Sequence, residues 1–249
     1  MTRLVRSELL KLRTTRTARV LLALAAAGTA ALIAVVLLLA GQPGQPALGP
    51  DALRQLVLVP AQPLTLAALV LGVLGMAGEL RHGTATSTFL VTPERGRVVA
   101  AKLAAAAVTG LAMSLASSAA VLAVGLPWLR AKGIEVAIAD PWVAARVAGL
   151  AVAVALYAVL GTGLGALLRN QVAAVVVGLL WWSQGVERVL TGILHQPGLE
   201  RWLPRGAASA LTAPGDGTLP MWAGALVFAA YGLVLALLGG RLVARRDLT

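Results

Sequence analysis

Five stretches of this chain run for more than twenty residues without one charged side chain: 20–50, 55–78, 103–129, 147–168 and 217–240. A sixth uncharged stretch, 170–186, is shorter. The hydrocarbon core of a bilayer is about 30 Å thick, and a helix needs about 20 apolar residues to cross it. Backbone amides in lipid must find partners within their own segment, which leaves helices or closed barrels. Ala, Leu and Val dominate these stretches, and none shows the alternating pattern of a barrel strand. Charged residues make up 12% of the chain, against roughly 25% in a soluble domain, too few to cover a water-facing surface. The expected fold is all-α: one polytopic transmembrane domain over 1–249, with six transmembrane helices near 20–40, 57–78, 103–126, 145–168, 172–190 and 221–240.

The 21 basic residues set the orientation. Lys and Arg collect in cytoplasmic loops. With both termini cytoplasmic, 14 of them fall inside, led by the N-terminal cluster and by the island at 79–102, and 7 fall outside. This pattern accounts for the net charge of +11 without a nucleic-acid partner, and none is expected. Residues 1–19 are expected to form an interfacial helix on membrane lipids, with Val5, Leu9 and Leu12 on one face and Arg3, Arg6 and Arg13 opposite. The apolar run after them is too long for a signal-peptide core and reads as a retained first span. Trp128, Trp142, Trp202 and Trp222 are expected at the outer interface. The outer segment 187–220 reads as short helices lying at that interface or dipping into it.

Several chemistries lack their residues. No GxxxxGK[ST] loop is present to cradle a nucleotide phosphate. There is no cysteine, no HExxH and no GxSxG, and the only histidines, His82 and His195, fall on opposite sides. An enzyme is therefore not expected, and no cofactor or metal is expected in this chain. Ion-coupled carriers place ionisable groups near the membrane midplane. Here the best candidate is Glu187, read as pairing with neighbouring Arg188 at the outer end of its span. Gly161 and Gly165 have GxxxG spacing, and Ser114, Ser117 and Ser118 share one helix face, so both sets read as helix-packing positions.

The most distinctive feature is the polar island between the second and third spans, "GELRHGTATSTFLVTPERGR" at 78–97. Thr84 can cap a short helix, and Pro93 discourages helix just before it. Together with "SELLKLRTTR" at 7–16, "ELRHGTATSTFLVTPERGRVVAAK" resembles bacterial, actinobacterial-like ABC exporter permeases of the ABC type-2 family. The resemblance implies an export subunit in a bacterial cell membrane, paired with itself or a sibling permease, and the apolar spans favour a hydrophobic or amphipathic substrate. A separate ABC ATPase subunit would hold the ATP and Mg. It also implies that the loop passes ATPase movements to the spans. Glu79, Arg81, Gly83 and Thr84 would form the hinge, while Thr86, Phe89 and Leu90 would form or adjoin the docking helix. Pro93, Arg95, Arg97 and Lys102 would set the return into span three and anchor it to headgroups. Glu94 departs from the basic residue common in that family. A different class of reading is a non-transporting immunity or anchor protein that binds a cytoplasmic partner through the same loop.

Overall fold

The computed structural model describes residues 2–14, 16–43, 48–81, 95–137, 139–168, 170–183, 185–196 and 198–245. These residues form helices α1 (Thr2–Thr14), α2 (Arg16–Leu39), α3 (Ala52–Leu58), α4 (Ala61–Arg81) and α5 (Arg95–Ala131). Then follow α6 (Pro141–Leu168), α7 (Gln171–Trp182), α8 (Gly185–Leu194), a 3-10 turn (Glu200–Trp202), α9 (Pro204–Thr212) and α10 (Met221–Arg245). No strand occurs among the described residues. Among the described residues, five apolar runs are long enough to cross a membrane: Arg19–Leu39, Ala52–Gly78, Gly96–Ala131, Pro141–Leu168 and Met221–Leu242.

Local chemistry explains several boundaries. Asp140 Oδ1 accepts the Trp142 N–H at 2.9 Å ahead of α6, and Pro141 occupies the first helical position, where a missing N–H costs nothing. Asn170 caps α7, accepting from Val172 N at 3.0 Å and Ala173 N at 3.1 Å. Pro204 opens α9 in the same way as Pro141 opens α6.

Two boundaries depart from the sequence expectation. Residues 95–102 were expected in the loop but form the first turns of α5, a helix of 37 residues. Arg97 and Lys102 end the apolar run without breaking the backbone ladder, so the helix continues past it. The expected span 172–190 is instead two helices. Ser183 closes α7 by returning its N–H to Leu179 O at 2.8 Å, and Gly185 starts α8. The 12 residues of α7 measure roughly 18 Å at about 1.5 Å per residue, well short of the hydrocarbon thickness.

Helix α6 is the centre of the bundle, with α4, α5, α9 and α10 packed around it. Close glycine contacts reveal the register. A Cβ on Gly161 would overlap the Leu69 carbonyl, and one on Gly165 would lie 3.0 Å from the Val73 carbonyl, so α4 and α6 run parallel. Gly232 faces Val159 and Gly239 faces Ala166, so α10 is parallel to α6 as well. Gly110 of α5 lies against Ala155, whereas Leu129 shares a buried cluster with Val143, which makes α5 antiparallel to α6. Thr29 Oγ1 and Ser117 Oγ, 2.8 Å apart, join α2 to α5.

The parallel pairing of α6 and α10 has a geometric consequence. The chain leaves α6 at Leu168 and must return through the bundle's height before starting α10 at Met221. It returns in two steps. Along α7, Gly178 passes Leu69 and Leu164, and Trp182 Nε1 donates to Thr65 Oγ1 at 3.3 Å. Along α9, Gly224 packs on Ala207 and Ala210, and Gly149 packs on the Leu211 carbonyl.

At the Pro141 end, Arg54 Nε donates to Asp140 Oδ2 at 2.6 Å and Arg54 Nη1 donates to Asp51 Oδ1 at 3.0 Å. The Arg54 hydrogen bond, followed by that from the Trp142 N–H, holds the Asp140 carboxyl below the usual carboxylate range. A carboxyl depressed by folding stabilises the fold above its unfolded pKa of about 3.9, and that contribution is lost as pH falls through the lower folded value. Limited proteolysis of the 132–140 connection is thus expected to accelerate only below about pH 4. An Asp140→Asn variant is expected to be cleaved at a rate that does not depend on pH in that window.

Candidate functional site

At the α1 end of the bundle, α4 and α5 bracket residues 82–94. Glu79 and Arg81 fall in the last turn of α4, and Arg95 and Arg97 in the first turn of α5. Gly83, Thr84, Thr86, Phe89, Leu90, Pro93 and Glu94 lie outside the described residues. Arg97 is exposed.

Lys102 is not a headgroup anchor. Its Nζ lies 2.8 Å from Glu8 Oε2, and the two residues are only 7% and 6% exposed. The cause is the position of α1, which packs on α5 and brings Glu8 over the second turn of that helix. The buried face of α1 therefore includes a carboxylate, which the expected apolar face of Val5, Leu9 and Leu12 omitted. A buried pair of this kind is weak as net stabilisation, but it penalises any state that separates the partners.

Gly161 and Gly165 are where α4 comes closest to α6. Gly72 meets them from the other side, since a Cβ there would overlap the Ala158 carbonyl. Ser114 and Ser117 are fully buried and Ser118 is half-buried. Ser117 bonds Thr29 across to α2, while the Ser114 hydroxyl has no hydrogen-bond partner among the described residues.

The polar cluster that sequence reasoning missed is at the break between α7 and α9. Glu187, 6% exposed, does not pair with Arg188. Its Oε1 accepts the Trp181 Nε1–H and the Arg205 backbone N–H, each at 2.8 Å. Arg205 reaches the other way, donating from Nη1 to the Trp182 carbonyl at 2.6 Å, with its guanidinium 5.7 Å from the centre of the Trp182 ring. A carboxylate thus sits at the amino end of α9 and a cation at the carboxyl end of α7, each opposing the local helix dipole. The break is a joint held by opposite charges.

Its depth also differs from expectation. Trp181, Trp182, Pro204 and Arg205 share a small void with Tyr157 and Phe228, whose rings meet edge-on at 4.7 Å. Tyr157 lies roughly 24 Å along α6 from Pro141 and roughly 17 Å from Leu168, so Glu187 is near the middle of the bundle's height. Trp202 is drawn inward too, because Tyr231 OH donates to its carbonyl at 3.2 Å. It is therefore not at the Met221 end of α10 with Trp222. The sequence signals for this joint were Ser183–Gly185 as a helix stop and Pro204 as a helix start.

No protein-family model matches this chain, and no curated protein matches it.

Proposed function

We propose that this chain is the membrane-spanning permease subunit of an ATP-binding-cassette exporter of the type-2 family, driven by a separate ATPase that carries the ATP and Mg. It sits in a bacterial cell membrane with both termini cytoplasmic. It crosses six times, the broken pair α7 and α9 together making the fifth crossing. It works as a dimer with itself or a sibling and moves a hydrophobic or amphipathic molecule.

The observation that carries this reading is the mounting of residues 82–94. These residues join α4 to α5, and both helices are fixed to α6 by contacts too close for a side chain, at Gly72 and Gly110. The base of α5 is locked to α1 through Glu8 and Lys102. Force applied to such a loop moves helices as rigid bodies, which is what switching between two access states requires. Glu187 does not supply a competing energy source, because helix-end donors hold its carboxylate in place.

The test is co-purification. Tagged protein extracted in mild detergent is expected to bring down an ATPase; extraction with none bound counts against the proposal. Glu79→Ala and Gly83→Pro are expected to uncouple ATP hydrolysis from export while leaving membrane insertion intact. Wild-type export by both variants would remove the hinge assignment.

A further inference from the structure

Hydrogen bonds to three neighbouring segments fix the height at which the chain passes from α7 to α9. Trp182 Nε1 donates to Thr65 Oγ1 at 3.3 Å, and Thr65 lies midway along the apolar run Ala52–Gly78. Tyr231 OH donates to the Trp202 carbonyl at 3.2 Å, and Tyr231 is roughly 15 Å along α10 from Met221. Glu187 Oε1 accepts the Arg205 amide at 2.8 Å, which ties the start of α8 to the start of α9 at that level. Gly206 then keeps Glu200 close, because a Cβ there would overlap the Glu200 carbonyl.

Charged side chains stand on the outside of the chain at this height. Arg188, Glu200 and Arg201 are all exposed, and none has a hydrogen-bond or ion-pair partner among the described residues. The backbone that carries two of them is a 3-10 turn between short helices. In a membrane, such charges face protein or water, and irregular backbone is tolerated only where it is covered or lines a water-filled cavity. An arginine can bend its long side chain towards the headgroups, but the short side chain of Glu200 cannot reach them from mid-height. This face of the bundle is therefore not one that meets acyl chains.

An open cavity of about 230 Å³ lies on the same face, lined by Glu187, Arg188, Thr191, Glu200, Arg205 and Ser209, among others. It is polar and holds several waters, since one water needs about 10–15 Å³ of such space. What covers it must match charges of both signs. A partner surface of a single sign would leave either the arginines or Glu200 unmatched. A surface that carries both signs is complementary to its own copy turned about a two-fold axis, cation to anion and anion to cation.

We infer that the face formed by the start of α8 and the Glu200–Trp202 turn is where a second copy of this chain docks, the two copies enclosing a wet polar interface at mid-membrane. The second copy is the partner half that the exporter reading calls for, and to that extent the inference rests on that reading. The exclusion of lipid from this face rests on the membrane crossings alone.

The chain contains no cysteine, so single-cysteine variants of the full chain report on one position each. Arg188→Cys, Glu200→Cys and Arg201→Cys are compared, in liposomes at high lipid-to-protein ratio, with Leu115→Cys and Leu233→Cys. The two leucines are exposed apolar positions midway along α5 and α10. All five side chains are exposed, so none of these changes threatens folding. A membrane-impermeant maleimide is expected to label the charged positions at least about tenfold faster than the apolar ones, because only the thiolate reacts and apolar surroundings keep a thiol protonated. A flexible bis-maleimide is expected to convert the Glu200→Cys and Arg201→Cys proteins to covalent dimers and to leave the two leucine variants monomeric. Adding Glu200→Lys to Arg201→Cys leaves only cations on the face and is expected to cut the dimer yield about tenfold at low salt. Equal labelling at all five positions, or dimers that form as readily through Leu115→Cys or Leu233→Cys, overturns the docking face and leaves the exporter reading to its own ATPase test. Charged positions that label but do not cross-link overturn the second copy. A dimer yield unmoved by Glu200→Lys overturns the charge matching that selects it.

Discussion

Lys102→Met is expected to lower the free energy of unfolding by up to about 3–5 kcal/mol, because it takes the ammonium away from a buried carboxylate, that of Glu8. Glu8→Met should cost a similar amount by taking the carboxylate away from the buried ammonium. The double variant is expected to recover most of the loss, since two apolar side chains of similar volume replace a pair whose attraction scarcely exceeds its desolvation cost. Denaturant titration of the four proteins in detergent gives the coupling energy directly. Additive losses would mean that the 2.8 Å contact between α1 and α5 contributes nothing specific. This prediction bears on function as well as stability: if α1 is tied to α5 here, movement of the loop that precedes α5 carries α1 with it.

Gly161→Leu is the second large effect. A Cβ at this position overlaps the Leu69 carbonyl and comes within 3.1 Å of the Val73 amide. Both obstacles are backbone, which cannot rotate aside as a side chain can. Overpacking a core usually costs about 1–3 kcal/mol, and here it must also part α4 from α6, so a loss at or above the top of that range is expected. Gly75→Leu is the control, because nothing lies within 4 Å of a Cβ placed there, and it should leave the midpoint nearly unchanged. Equal losses at 161 and 75 would show that glycine flexibility, and not contact with α4, matters at these positions.

The long helices were legible because their cause is local: an uncharged run of sufficient length has few places to go except lipid or a core. The packing role of Gly161 was legible for the same reason, through its four-residue spacing with Gly165. What the sequence concealed depends on contacts between distant residues. Lys102 reads as a headgroup anchor until α1 folds back and sets Glu8 against it, and no pattern along the chain marks that pair. The start of α5 at Arg95 was hidden because hydropathy registers where the lipid ends, whereas the helix follows its hydrogen bonds. The joint between α7 and α9 was hidden in the opposite way: the apolar run 170–186 continues through the stop at Ser183, so Glu187 was assigned to the end of a helix that does not exist. Its true partner, the amide of Arg205, follows 18 residues later.

The position of the joint also changes what the bundle can do. A carboxylate held at mid-height by two helix ends, with a polar cavity beside it, gives a largely apolar chain a place at mid-height to receive a polar group. The Arg81 end of α4 lies away from the joint, on the same helix whose Thr65 carries the Trp182 indole. Under the exporter reading, α4 joins the two sites.

Under the exporter reading, a separate ATPase acts on this chain through residues 79–102. The most direct test is ATP turnover by the co-purified complex in lipid bilayers, compared with the ATPase alone and with a complex whose residues 82–94 are replaced by a flexible Gly/Ser linker of equal length. The predicted result is that the wild-type chain alters turnover and the linker variant, although inserted and folded, does not. Turnover that is the same with the wild-type chain, the linker variant or no chain at all would show that no ATPase acts through these residues.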